Sequence, residues 1–215
     1  MGSGAQSHPV EFSTPVPERV AENLARFERR AHPGGSQLRA SAVALALLGD
    51  ASGAVSFVLT RRARGLRAHS GQWALPGGRL EAGEGPADAA LRELAEEVGL
   101  RLPGSSVLGL LDDYATRSGY VITPVVVWAD AGCRLVPNPQ EVAEVHRVPL
   151  AELERPDVPQ LRSIPESDRP VISLPLLGTA IHAPTAAILY QLREVALRGL
   201  SVRVAHFEQP VFAWR

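Results

Sequence analysis

Acidic side chains are concentrated in one short stretch of this chain, residues 84–97. Glu93 and Glu97 are four residues apart, so on a helix they share one face, and Glu96 lies on the same side of that helix. Like charges at this spacing repel each other, so the arrangement indicates that a cation is bound there. Carboxylate oxygens are the ligands that Mg²⁺, Mn²⁺ and Ca²⁺ prefer. The sequence therefore predicts a site for a divalent cation.

A helix over residues 87–100 is predicted to position these glutamates. Pro86 suits the first helical position, and Gly99 suits a left-handed residue that ends the helix. Glu84 lies where the preceding loop meets this helix, from which it can reach the same cluster. Apolar residues at helical spacing predict the face that packs on the core. These residues are Ala89, Ala90, Leu91, Leu94 and Val98.

The loop before the helix contains two adjacent glycines, Gly77 and Gly78. Glycines allow the backbone to bend sharply or to approach another group closely. Arg79 and Arg92 are cations that can orient the glutamates. The alternative interpretation is a solvent-exposed charged helix face, which is typical of charge runs. The glycine loop argues against that alternative.

The stretch from Gly78 to Leu100 fills every position of the Nudix box pattern, and the chain resembles the Nudix hydrolases. Upstream, the segments Val58–Ala63 and Leu66–Gln72, followed by Pro-Gly-Gly, resemble the signature of the coenzyme A pyrophosphatase subgroup. The resemblance implies an α/β fold, a Nudix-type α/β/α sandwich around a mixed β-sheet. It also implies Mg²⁺- or Mn²⁺-dependent hydrolysis of the pyrophosphate bond in a nucleoside diphosphate linked to a group X. For coenzyme A or acyl-coenzyme A the products would be 3′,5′-ADP and (acyl-)4′-phosphopantetheine.

Site residues are carried over from this resemblance by position. It implies metal binding by Glu93 and Glu97 with help from Glu96, and Glu84 and Gly78 complete the predicted metal set. The predicted substrate contacts are Arg61, Arg67, His69, Gln72 and Arg79.

A further carboxylate is expected from the segment around residues 141–148, which is predicted to be a strand. The period of two places Glu141 and Glu144 on opposite faces, so only one of them can point towards the metal cluster. Glu141 is the favoured residue. The general base must lie within hydrogen-bond reach of the attacking water, and Glu96, Glu97 and Glu141 are the candidates.

Two other functions remain open at this stage. One is a Nudix pyrophosphatase for ADP-ribose, NADH or a damaged nucleotide. The other is a Nudix ligand sensor without catalysis, although such sensors commonly lose the box glutamates that this chain retains. Trp73, Tyr114 and Tyr120 are aromatic residues that could stack on a nucleobase.

Composition limits the partners. The chain has 215 residues and a formal net charge of −1, which gives no reason to expect nucleic-acid binding. Its single cysteine, Cys133, is typical of a reducing compartment, so a cytoplasmic protein is expected. No apolar run approaches the roughly 20 residues that a membrane helix needs. Association as a homodimer is left open.

The predicted organisation is an N-terminal arm, residues 1–37, followed by one Nudix domain, residues 38–215. The arm contains an amphipathic helix with Val20, Leu24 and Phe27 at helical spacing. The predicted helices are 17–31, 87–100 and 185–198, and the predicted strands are 38–48, 55–61, 107–114, 120–129 and 141–148. A proline-rich connection is expected over 156–175, and one or two short strands over 202–214.

Overall fold

A mixed β-sheet between helices forms the centre of the protein. The computed structural model describes residues 15–33, 37–63 and 71–214, so two predicted substrate contacts, Arg67 and His69, lie outside the described residues. The helices are α1 (Val16–Arg26), α2 (Pro86–Val98) and α3 (Thr185–Gln191). The strands are β1 (Arg39–Gly49), β2 (Val55–Arg62), β3 (Trp73–Ala74), β4 (Gly77–Arg79), β5 (Val107–Leu110), β6 (Tyr114–Ala115), β7 (Tyr120–Ala129), β8 (Val142–Pro149), β9 (Gln160–Ile164), β10 (Ser167–Leu176) and β11 (Thr179–His182).

Strand β1 is central to the larger sheet. It pairs in parallel with β7 and antiparallel with β2, and β4 also pairs with it. Strand β8 extends the sheet by pairing antiparallel with β2. The smaller sheet has the order β11-β10-β9. Because the larger sheet contains both parallel and antiparallel pairs, it is mixed, as predicted.

The two faces of the larger sheet bury separate apolar layers. Along β1, Ala44 and Ala46 pack with α2, whereas Leu45 and Leu47 pack with α3 on the other face. This alternation follows from the period of two along a strand. Helices on both faces give the predicted α/β/α arrangement, which is confirmed.

Helix α1 packs on its own chain. Val20 and Leu24 are buried in the same core layer as α3. Asn23 donates a hydrogen bond from Nδ2 to the carbonyl oxygen of Ala196, at 3.0 Å. The helix ends at Arg26, earlier than the predicted residue 31, because the chain from Phe27 onward is extended.

The prediction of a connection over residues 156–175 was wrong, because β9 and most of β10 lie there. Prolines interrupt strands unless they lie at edges or irregular positions. Pro170 lies where the pairing register of β9 and β10 shifts between Ser167 and Val171, so the strand accommodates it. The sequence alone does not reveal this irregular pairing.

The predictions for the last third of the chain need two further corrections. The predicted helix 185–198 is α-helical only over α3 and continues as a π-helix, Leu192–Leu197. Residues 202–214 were predicted to form strands, but they contain one isolated bridge, between Glu208 and Val171, and a 3₁₀ turn, Val211–Ala213. In the part of the chain that the structure describes, no helix is both long and apolar enough to cross a membrane.

Candidate active site

Three carboxylates from two parts of the chain meet beside α2. Oxygens of Glu93, Glu97 and Glu141 all lie within 4.8 Å of one another. Glu93 and Glu97 occupy one face of α2, as the four-residue spacing requires. Glu141 follows a turn at Asn138, whose backbone N–H donates to the carbonyl oxygen of Glu97 at 2.9 Å. The N–H of Ala63 also donates to the carbonyl oxygen of Glu141, so the turn is attached to both α2 and β2.

The two glycines of β4 allow close approach to this cluster. A Cβ atom on Gly78 would lie 2.0 Å from Oε1 of Glu93. A Cβ atom on Gly77 would lie 2.4 Å from the carbonyl oxygen of Ala42, and the backbone N–H of Gly77 donates to the carboxylate of Glu97. Glycine is therefore required at both positions for the backbone to pass between β1 and the glutamates.

The remaining box glutamates are held by Arg92. Its Nε donates to Glu84 at 2.9 Å, and its Nη1 donates to Glu93 at 2.8 Å and to Glu96 at 3.1 Å. Its Nη2 donates to the carbonyl oxygen of Arg79 at 3.0 Å. The bonds from Arg92 lower the pKa of Glu84. Glu84 and the half-exposed Glu96 thus border the cluster, and Arg92 connects both to Glu93.

The cluster is electrostatically unfavourable without a cation. Burial, together with the charges of Glu93 and Glu141, raises the pKa of Glu97 to about 8, against the opposing effects of Arg62 and the Gly77 N–H. Burial also raises the pKa of Glu93. A hard divalent cation would neutralise this repulsion, and an all-oxygen donor set is what Mg²⁺ and Mn²⁺ prefer. The residues present fit such an ion.

A cavity of about 720 Å³ lies next to the cluster. Three of its lining residues also contact the cluster: Gly77 and Gly78 through the approaches described above, and Arg62, whose Nη1 lies 3.7 Å from Oε1 of Glu97. The cavity has the size of a typical small-molecule site. Its opposite wall includes His182 and Phe212, whose rings make an edge contact at 5.5 Å.

The predicted substrate residues fall into different places. Gln72 and Arg79 line the cavity. Arg61 does not, and its Nη1 instead donates to Glu144 at 2.9 Å. His146 lies 3.1 Å from the same carboxylate, so Glu144 is committed to an ion pair away from the cluster. The structure therefore separates Glu144 from Glu141.

Arg62 is the residue that the sequence analysis missed. Its Nε is buried and has no hydrogen-bond acceptor among the described residues, and its Nη1 faces Glu97. The signature that residues 58–63 resemble contains Leu-Thr-x-Arg, and counted from Leu59 and Thr60 its arginine is Arg62 rather than Arg61. The sequence thus carries a signal for Arg62.

Comparison with known proteins decides the family. A family model described as the NUDIX domain matches residues 38–172. The chain belongs to the Nudix family. It is 42% identical over 98 residues to the Nudix hydrolase NudL of Photorhabdus laumondii, and the aligned region covers 45% of this chain and 52% of NudL. It is 32% identical over 149 residues to Nudix hydrolase 3 of Caenorhabditis elegans, which covers 66% of this chain and 62% of the relative. The chain thus spans about half to three fifths of the length of these relatives.

Solved Nudix structures share the fold. The Nudix hydrolase RenU of M. smegmatis matches 77% of this chain with a TM-score of 0.51 and 24% identity, over 89% of its own chain. A MutT/nudix family protein of Enterococcus faecalis matches 84% of this chain with a TM-score of 0.52 and 18% identity, over 73% of its own chain. At these identities the similarity shows the fold alone.

Proposed function

We propose that this Nudix protein is a pyrophosphohydrolase that cleaves the pyrophosphate bond of a nucleoside diphosphate linked to X, with Mg²⁺ or Mn²⁺ as cofactor. The observation that carries the proposal is the cluster of Glu93, Glu97 and Glu141, whose repulsion is relieved by a divalent cation. Because Gly77 and Gly78 line the cavity, a cation held by this cluster would lie next to a substrate bound there.

Glu93 and Glu97 would hold the metal, with Glu84 and Glu96 positioned through Arg92. A bound divalent ion neutralises pyrophosphate charge and lowers the pKa of a coordinated water. Arg92 keeps Glu93 directed at Gly78, since its Nη1 donates to the same oxygen that faces the glycine. The arginine is therefore a positioning residue.

Glu141 is the proposed general base among the three candidates. Glu96 is half exposed and bound to Arg92, and Glu97 accepts the N–H of Gly77. No described residue donates a hydrogen bond to the carboxylate of Glu141, although this carboxylate lies within the cluster. Its oxygens can therefore accept a proton from a water that attacks the substrate.

Coenzyme A or an acyl-coenzyme A is the proposed substrate. The support is the resemblance of residues 58–78 to the coenzyme A pyrophosphatase signature and the cavity volume of about 720 Å³, which suits a ligand larger than pyrophosphate. Arg62, Gln72 and Arg79 supply donors along the cavity wall. Arg67 and His69, which lie outside the described residues, remain proposed contacts.

The test is a comparison of kcat/KM for coenzyme A, dephospho-coenzyme A and ADP-ribose at one Mg²⁺ or Mn²⁺ concentration, with products identified by mass. We expect coenzyme A to be preferred and to give 3′,5′-ADP and 4′-phosphopantetheine. A preference for ADP-ribose would overturn the substrate assignment, but the proposed reaction, pyrophosphate hydrolysis, would stand. Binding without turnover of any of the three compounds would instead indicate a ligand sensor.

A further inference from the structure

Two arginine side chains meet on one tyrosine in the wall of the cavity. The Cζ atom of Arg39 lies 4.3 Å from the ring centroid of Tyr120. Nε and Nη2 of Arg79 donate to the hydroxyl oxygen of the same tyrosine, at 3.1 and 2.6 Å. All three residues line the cavity. Two guanidinium groups therefore contact the same tyrosine at a ligand-sized space.

The sheet fixes this arrangement. Arg39 lies opposite Tyr120 in the parallel pairing of β1 and β7. Arg79 lies opposite Ser41 in the antiparallel pairing of β4 and β1, two residues along β1 from Arg39. Side chains two residues apart on a strand point to the same face. The three side chains thus come from three adjacent strands, and the register of those strands brings them together.

These two positive charges are not neutralised by the protein. Among the residues that the structure describes, no carboxylate forms an ion pair with Arg39 or Arg79. Other arginines do have such partners, as Arg61 on β2 has Glu144 and Arg92 on α2 has Glu84. Two like charges held together on an aromatic ring favour an anion between or beside them. The fork of a guanidinium group matches the oxygens of a phosphate, which it binds with two parallel hydrogen bonds.

We propose that Arg39 and Arg79, which both contact Tyr120, bind a phosphomonoester of the substrate that is separate from the scissile pyrophosphate. Gly78, which touches Glu93, pairs with Ala42. Arg39 lies three residues from Ala42 along β1, a distance of about 10 Å at the usual rise per residue. Arg39 is therefore displaced along β1 from the metal cluster, whereas Arg79 directly follows Gly78. A ribose that carries a phosphate on one hydroxyl and a diphosphate on another presents two separate groups of negative charge with such a displacement.

This assignment rests on the proposed function, because it names the residues that would distinguish coenzyme A from nucleoside diphosphates without the extra phosphate. It also adds Arg39 to the predicted substrate contacts, among which Arg61 is instead paired with Glu144. Loss of one charged hydrogen-bonding partner of a phosphate weakens binding by at least about tenfold.

The kinetic test compares coenzyme A with dephospho-coenzyme A, which lacks the 3′-phosphate, in the wild type and in the variants Arg39→Ala and Arg79→Ala. We expect the ratio of the two kcat/KM values to fall by about tenfold or more in Arg39→Ala, while kcat/KM for dephospho-coenzyme A stays within about threefold. Arg101→Ala is the control, because Arg101 is exposed and does not line the cavity. An equal loss for both compounds in Arg39→Ala would overturn the assignment.

A binding test separates this assignment from the proposed function. Affinities of 3′,5′-ADP, 5′-AMP and inorganic phosphate are measured by calorimetry without divalent metal. Tighter binding of 3′,5′-ADP than of 5′-AMP, with the difference lost in Arg39→Ala, supports the phosphate site even if the wild type hydrolyses neither coenzyme. Equal binding of 3′,5′-ADP and 5′-AMP by the wild type overturns it, and so does binding of inorganic phosphate that Arg39→Ala leaves unchanged.

Discussion

The glutamates beside α2 and the glutamate at position 208 have opposite surroundings in this protein. In the box cluster, Glu93, Glu97 and Glu141 face one another, and burial raises the pKa values of Glu93 and Glu97. Glu208, in the C-terminal segment, is 1% exposed, yet its pKa is lowered to about 2. The same side chain is thus destabilised as an anion in one place and stabilised in the other.

The difference lies in the partners of Glu208. Arg117 donates to it from Nη2 at 2.5 Å and from Nε at 3.2 Å. Ser167 donates at 3.0 Å, and the backbone N–H of Gln209 donates at 2.9 Å. These bonds join three separate segments: the turn before β7, the start of β10 and the C-terminal segment. Because every charge is satisfied within the chain, this group is best explained as structural.

The comparison teaches how to recognise a functional carboxylate in this fold. A buried acid with donors on all sides contributes to stability, since its desolvation is offset by hydrogen bonds. Buried acids that face one another lower the stability of the metal-free protein and are explained only by a ligand that removes the repulsion. In this chain the second description applies to Glu93, Glu97 and Glu141.

Removing one charge from the box cluster should have the largest effect on activity. Glu97→Gln keeps the size of the side chain but lacks the charge that holds a cation, so we expect kcat/KM to fall by about 10²- to 10⁴-fold with the fold retained. Steady-state kinetics at limiting Mg²⁺ and circular dichroism measure the two effects. Glu144→Gln is the matched control, and its kcat/KM should change by less than about threefold because its ion pair is exposed. Equal losses in both variants would contradict the contrast between these glutamates.

Displacing a cluster glutamate without changing its charge should have the next largest effect. In Gly78→Ala the added Cβ would overlap Oε1 of Glu93, so the carboxylate must move by about 1 Å or more, and such a displacement costs about 10²-fold in rate. The matched control is Gly104→Ala, since a Cβ there meets nothing within 4 Å. Metal titration of both variants, followed by kinetics, measures the effect. Wild-type metal affinity and turnover in Gly78→Ala would show that the close approach is not needed.

The box helix and its glutamates could be predicted from sequence because their signals are local. Pro86 begins α2, and Gly99 follows it with a φ of 70°, the left-handed conformation that was predicted there. The spacing of Glu93 and Glu97 fixes their common face on any helix. None of these features depends on residues far away in the chain.

The parts that sequence could not predict depend on pairing between distant segments. The environments of Arg61 and Arg62 are set by β8, whose register against β2 shifts between these two residues. Arg39 was not predicted as a site residue because its partner Tyr120 comes from β7, and only the parallel pairing of β1 and β7 brings them together. Strand β10 was not predicted, because Pro170 argues against a strand unless the irregular pairing around it is known.

The pH dependence of stability without metal is the smallest expected effect. It distinguishes Glu97 from Glu208 thermodynamically. The pKa of Glu97 is about 8 in the folded protein against 4.5 for an unperturbed glutamate. Its contribution to stability is therefore present below pH 4.5 and is lost as the pH rises towards 8. For Glu208, with a pKa of about 2, the contribution is present above pH 4.5 and is lost as the pH falls towards 2.

Urea unfolding in the presence of a chelator, from pH 3 to pH 9, measures both slopes. We expect the free energy of unfolding of the wild type to fall between pH 4.5 and 8 relative to Glu97→Gln, by on the order of a few kcal/mol. Glu208→Gln should instead be less stable than the wild type at neutral pH, with the difference shrinking below pH 4.5. Saturating Mg²⁺ should remove the first slope and leave the second, because the cation stabilises only the ionised box cluster. Identical pH profiles for the wild type and Glu97→Gln would show that the box cluster is not strained by its own charge.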